Sequence, residues 1–211
     1  MEPLIIGVLA SGRGSNCAAL LHRIEEDEIP AKIAAVISNN HEAGVLQIAR
    51  DHNIPAYYIE RNQFETGDEF CQALENIFDQ HKINFIVLAG YLRKVPPRII
   101  RRFANRILNI HPALLPDFGG KGMYGHVVHE AVLKSGSTVS GATIHLVDEE
   151  YDHGPIVLKR EVPVLPNDTP DILAARVLQV EHRIYAEAVR LFAEGRVKIK
   201  GRTIQILESN D

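Results

Sequence analysis

The chain has 211 residues, 45% hydrophobic and 24% charged, with a formal net charge of −4. Such a length favours one domain with enough apolar residues for a core that needs no staples. The slight acid excess, with basic residues scattered apart from Arg98, Arg101, Arg102 and Arg106, leaves no electrostatic footprint for nucleic acid.

In chain order, Leu4 to Ala10 (LIIGVLA) reads as a buried strand. SGRGSN follows, and then a helix over about Asn16 to Glu26. Ala31 to Ser38 is a second strand, Ala43 to His52 a helix, and Ala56 to Ile59 a short third strand. Asp68 to Gln80 carries Phe70, Leu74, Ile77 and Phe78 at i, i+4, i+7 and i+8, the spacing of one helix face. Ile83 to Gly90 is another buried strand, and RILNI, Arg106 to Ile110, another. Strands alternating with helices predict a parallel sheet with helices on both faces. The pattern then changes. Thr138 to Asp148 and Gly154 to Val164 are separated by a short turn and read as an antiparallel hairpin. Asp171 to Glu194 is a long amphipathic helix, and the stretch RVKIKGRTIQIL accommodates a closing strand pair.

Cys17 and Cys71 belong to no CxxC pair or disulfide framework, which fits a reduced cytoplasmic setting. The amino terminus, acid and proline leading straight into a strand, has no signal-peptide pattern. No apolar run approaches the ~18 residues of a membrane span.

Three motifs carry chemistry. SGRGSN, Ser11 to Asn16, joins the first strand to the first helix. Its glycines bring backbone N–H groups close to a ligand, and a helix N-terminus favours an anion such as phosphate. It lacks the dinucleotide fingerprint and a GK[ST]. The alternative is an ordinary turn with Ser15 or Asn16 as the helix cap. In Asn109-Ile110-His111, residues i and i+2 project the same way from the carboxyl end of a strand, where open α/β sheets bind ligands. The amide is a donor for a developing oxyanion, and the imidazole carries a proton near neutral pH. The alternative is a hydrogen-bonded polar strand end. In DEEYDHGP, Asp152 precedes a Gly-Pro turn that can aim its carboxylate inward, where it would raise the pKa of His111. The alternative is a merely solvated turn; metal binding is a rival use, but there is no HExxH and no EF-hand spacing. His145, mid-strand, is either core or site lining, and Glu181 faces either a ligand amine or solvent.

VLASGRGSN, LAGYLRKV, NIHPALLPDFGGKGMYG, TIHLVDEEYDHGP and VEHRIYAEAVRLFAEGRV occur in this order. Together they closely resemble the phosphoribosylglycinamide formyltransferase family, from about Leu4 to the last strand. The resemblance implies a Rossmann-like α/β fold, a mostly parallel sheet flanked by helices and continued by antiparallel strands. It implies one formyltransferase domain over 1–211, with a phosphate-binding half at about 1–110 and a folate-binding, catalytic half at about 85–211. The implied reaction moves a formyl group from 10-formyltetrahydrofolate to the amine of glycinamide ribonucleotide, in purine biosynthesis.

Asn109, His111 and Asp152 match the family's catalytic residues: Asn109 and protonated His111 would stabilise the oxyanion, with Asp152 holding His111 charged. Gly14, Ser15 and Asn16 match the phosphate loop, and Glu181 the contact to the glycinamide nucleotide. Leu92, Arg93, Lys94 and Val95 match the segment lining the pterin pocket, largely through backbone groups. The turn with Asp148, Glu149, Tyr151 and Asp152 matches its other wall. Arg93 and Arg106 are expected near the anionic glutamate tail. No metal, nucleic-acid or membrane partner is implied, and the chain is expected to be a monomer or homodimer. Three departures stand out. Gly67 lies where many members carry a basic residue able to meet a folate, with Arg61 the nearest substitute. FGGKGMYG replaces the commoner Pro-Gly-x-His loop, and His153 stands where Gly or Thr is frequent. The nearest rival is a formyltetrahydrofolate hydrolase; its usual amino-terminal regulatory domain has no room before Leu4. A methionyl-tRNA formyltransferase would need a further domain and more positive charge. A silent binding protein would not need the three polar residues, and a nicotinamide-linked oxidoreductase would need the missing fingerprint.

Overall fold

The first strand shows how the sheet is built. β1 (Leu4–Ala10) holds Ile6, Val8, Leu9 and Ala10 fully buried. A strand that is apolar on both sides has to be covered on both faces, the situation of a central parallel strand. The structure, a computed structural model, describes residues 3–26 and 28–208. Glu2, part of the amino terminus considered above, lies outside them.

Two compact units, Met1–Leu108 and Asn109–Asp211, are distinguished. In the first, β1 is followed by α1 (Ser15–Glu25), β2 (Ala31–Ser38), α2 (Gly44–Asp51), β3 (Ala56–Tyr58), a short 3-10 turn (Arg61–Gln63), α3 (Gly67–Gln80), β4 (Phe85–Leu88) and α4 (Pro97–Arg102). β5 (Ile107–His111) spans the boundary. The second unit continues with α5 (His126–Lys134), β6 (Val139–Leu146), β7 (Ile156–Pro163), α6 (Pro170–Ala193), β8 (Val197–Lys200) and β9 (Thr203–Ile206). The strand order is β3-β2-β1-β4-β5-β6-β7, and β8-β9 form a separate pair. β1 pairs parallel with β2 and β4, and β2 with β3; β6 and β7 are antiparallel, as is the β8–β9 pair.

Local signals explain the long helices. Thr66 and Glu69 form a reciprocal capping box at the start of α3, and its predicted face (Phe70, Leu74, Ile77 and Phe78) is buried. Phe78 meets the Phe103 ring edge-on at 5.1 Å. Each such fully buried side chain contributes about 1.5–3 kcal/mol of transfer free energy. Thr169 caps α6, with Pro170 in its first turn, and Leu173, Val177, Val180, Ile184 and Ala188 form its buried stripe. Two helices were not anticipated. α4 is only six residues long, too short to show a helical period although Pro97 stands in its first turn, and α5 starts from Gly125 at φ 54 without a side-chain cap. β5 covers the RILNI run from Ile107 and closes one residue beyond it, on His111, so Asn109 and His111 both lie in the strand as expected.

Cys17 lies in α1, 1% exposed, and burial pushes its thiol up to about 12. No helix among the described residues is long and apolar enough to cross a membrane.

Candidate active site

Asn109 and His111 lie two apart on β5, so the pleat sends both side chains to one face. His111 is 2% exposed. Its Nε2–H donates to the Phe118 carbonyl at 2.8 Å, and a carbonyl only accepts, so that nitrogen carries the proton. Nδ1 faces Asp152 Oδ2 at 3.6 Å. The loop after His111 is pinned from β6: the Thr143 hydroxyl donates to Ala113 O at 2.7 Å and accepts the Leu115 N–H at 3.0 Å.

Asp152 reaches the cluster through its backbone. It adopts φ 53, a left-handed conformation that Asp tolerates better than most residues. The Gly120 N–H donates to its Oδ2 at 2.9 Å. Gly154 then lets the turn close onto β6, because a Cβ there would lie 1.7 Å from Leu146 O. His145, left undecided between core and site above, belongs to the site. It is 2% exposed, its Nδ1–H donates to Leu146 O at 2.9 Å, and its Nε2 accepts the Asn109 amide N–H at 3.0 Å. Its Nε2 also stands 3.6 Å from Asp152 Oδ1. The pairing with β7 shifts between Ile144 and His145, where Val157 is the extra residue on β7, while Thr143 and His145 keep the shared direction of alternate strand residues.

The expected rise in the His111 pKa is not what the site produces. Burial pushes the imidazole below its ordinary value; Asp152 and the Phe118 carbonyl pull upward without overcoming it, and His145 adds to the fall. Before substrate arrives, His111 therefore favours its neutral form. Asp152 goes the other way. Burial raises its carboxyl, but His145, His111 and the Gly120 N–H outweigh that and hold it below the usual carboxylate range.

In the first unit, Gly14 rather than Ser15 or Asn16 is the N-cap of α1, at φ 85 and with no side-chain hydrogen bond. A Cβ on Gly14 would meet Val45 Cβ at 2.7 Å. Ser15 opens the helix and Asn16 is buried behind it. The first turn has no acidic residue and no side-chain cap, the arrangement that suits an incoming anion. Ser11, given no individual role by the sequence, braces this loop. Its hydroxyl donates to Asn39 Oδ1 at 2.5 Å and accepts the Leu92 N–H at 2.8 Å. The Leu92 N–H is thus spent, and this residue offers a ligand its 52% exposed side chain instead.

Arg93, Lys94, Arg61, Arg98 and Arg101 line a cavity of ≈ 970 Å³ with Glu60 and Asp68, an excess of positive charge in an acidic chain. Val95 is buried beneath this segment. A Cβ on Gly67 would lie 4.0 Å from the Arg61 guanidinium, so Arg61 occupies the neighbourhood of the missing basic side chain. Arg106, expected near a folate tail, does not line this cavity. Its guanidinium donates to Asn84 O at 3.5 Å and Arg102 O at 2.7 Å and lies over the Phe103 ring. In the second unit, Glu181 is buried on α6, Asp148 is half-buried, and Glu149 and Tyr151 are exposed on the turn before Asp152. Among the described residues no group of three or more His, Cys, Asp or Glu is arranged to hold a metal ion.

Residues 5–189 match the formyl transferase family, and the chain belongs to it. It is 37% identical to phosphoribosylglycinamide formyltransferase of Haemophilus influenzae, over 92% of this chain and 90% of that protein. It superposes on glycinamide ribonucleotide transformylase 1 of Symbiobacterium toebii with a TM-score of 0.92 at 41% identity, covering 98% of this chain and 95% of that one. A formyltetrahydrofolate deformylase of Pseudomonas syringae is also similar, with a TM-score of 0.88 at 28% identity, over 98% of this chain and 67% of that one.

Proposed function

We propose that the chain transfers the formyl group of 10-formyltetrahydrofolate to the amine of glycinamide ribonucleotide, giving formylglycinamide ribonucleotide and tetrahydrofolate in purine biosynthesis. The observation that carries this reading is the cluster of Asn109, His111 and Asp152 in a chain of this family. The amine attacks the formyl carbon, and the formyl oxygen becomes an oxyanion. One N–H of the Asn109 amide is held by His145, which leaves the second for that oxyanion. His111 Nε2–H is committed to Phe118 O, so Nδ1 is the nitrogen that exchanges a proton, beside an ionised Asp152. Negative charge growing on the substrate offsets the burial that keeps His111 neutral at rest. The proton leaves the amine by way of water and this pair, and returns to N10 of the folate as its bond to the formyl carbon breaks.

The remaining roles follow the same reading. Gly14, Ser15 and Asn16 take the phosphate, supported by the uncapped start of α1. Glu181 takes the glycinamide amine. Leu92, Arg93, Lys94 and Val95, and the turn with Asp148, Glu149, Tyr151 and Asp152, are assigned to the folate. Arg61 and Arg93 take its glutamate tail, supported by the basic cavity they line. The chain is taken as a cytoplasmic monomer or homodimer without nucleic-acid partners.

The test follows folate deformylation by absorbance, with and without glycinamide ribonucleotide. Loss of formyl only with the nucleotide present is expected. Equal loss without it would replace the reading by a hydrolase.

A further inference from the structure

Asp148 opens the turn between β6 and β7 that carries Asp152, and its carboxylate is the hub of that turn. Oδ1 accepts the Glu150 N–H at 2.9 Å. Oδ2 accepts the His153 Nδ1–H at 2.9 Å and faces Arg202 Nη1 at 3.3 Å. Arg202 Nη2 also donates to the His153 carbonyl. One guanidinium therefore grips the first and last residues of the segment that holds Asp152. Glu149, Glu150 and Tyr151 between them are exposed, so apolar packing contributes little to fixing it. Arg202 itself stands in the two-residue turn that joins β8 to β9. That hairpin is anchored at its base: Arg196 Nε donates to Leu207 O at 2.9 Å and the Leu207 N–H to Arg196 O at 2.8 Å. Burial raises the Asp148 carboxyl, yet the Glu150 N–H, His153 and Arg202 outweigh it and keep the group below the usual carboxylate range, as a clasped anion should be.

We propose that Arg202, together with His153, is a positioning residue for the reaction: it clasps the Asp148–His153 turn and so sets Asp152 against His111. This rests on the formyl-transfer reading above. It also gives His153, a departure from the family pattern, a use.

The pair is half exposed, so its loss costs little stability, while its effect on placement is large. Misplacing a catalytic group by about 1 Å costs up to about a hundredfold, so Arg202→Gln is expected to lower kcat/KM for the folate by about tenfold or more. The nucleotide KM and the melting temperature should stay near wild type. Arg202→Lys, which reaches only one of the two acceptors at a time, should restore part of the loss. His153→Ala should cost less than Arg202→Gln. The double variant should fall short of the product of the two losses, because both act through Asp148. In the free protein, Arg202→Gln should move the His111 titration, followed by NMR, further down. Unchanged kinetics, an unmoved His111 titration, or a loss shared by both substrates with a lowered melting temperature and no rescue by Lys would each overturn the clasp. If the wild-type protein transfers no formyl group, the reading of its function falls, and the His111 titration alone still decides the clasp.

Discussion

The loop at residues 11–16 and the cluster on β5 and its neighbours are built from opposite materials. The loop offers backbone: a left-handed Gly14, an uncapped helix start and a serine brace. The cluster offers side chains, each held by a named partner: His111 by Phe118 O, Asn109 by His145, and Asp152 by Gly120. A site made of N–H groups tolerates side-chain truncation but not a change of backbone conformation. A site made of side chains behaves the other way. On the proposed reading, binding and chemistry would thereby fall under different kinds of mutational control.

The largest expected effect tests the chemical half. His111→Ala should lower kcat by about 10²–10⁴-fold while leaving the nucleotide KM near wild type. Steady-state kinetics in both substrates decides it, and a nucleotide KM that rises as much as kcat falls would break the contrast. The next test takes the backbone half. Gly14→Ala puts a Cβ 2.7 Å from Val45 Cβ at φ 85. A left-handed Ala costs roughly 1–2 kcal/mol before that clash, so denaturant unfolding and the nucleotide KM should both register it. Ser15→Ala should raise the nucleotide KM only several-fold, and by more than the folate KM; a larger effect than Gly14→Ala would mean that the hydroxyl rather than the backbone holds the phosphate.

The smallest effect lies outside both sites. Arg176, with help from the Leu165 N–H, holds the Asp168 carboxyl at about 2, below its ordinary 3.8. A depressed carboxylate stabilises the fold above its unfolded pKa and loses that contribution as pH falls through the folded one. Melting temperatures of Asp168→Asn and wild type should therefore converge between pH 3.8 and about 2. A gap that stayed constant across that window would assign the pair no role in acid stability.

The sequence makes legible whatever depends on pattern. Continuous apolar runs mark β1 and β2, and the face of α3 and the length of α6 follow from helical spacing and caps. The shared direction of Asn109 and His111 follows from strand alternation. What stays hidden depends on departures from pattern. His145 sits in a strand buried on both faces, so alternation along TIHLV does not tell a site residue from a core one. Asp152 turns inward through a left-handed backbone that composition does not announce. Asp152 does pull the His111 pKa upward, but the net shift is downward: the neighbouring carboxylate is visible in the sequence and the depth of burial is not. Arg106 reads as a free cation until Asn84, Arg102 and Phe103 are found around it.

The buried sulfur of Cys17 has a practical consequence. It sits two residues into α1 from Ser15, and with its thiol pushed up to about 12 it presents almost no thiolate to a reagent. Alkylation at that position then waits for the first turns of the helix to come apart. The rate of labelling is a clock on that opening, and an anion seated at the helix start would slow the clock in proportion to its occupancy.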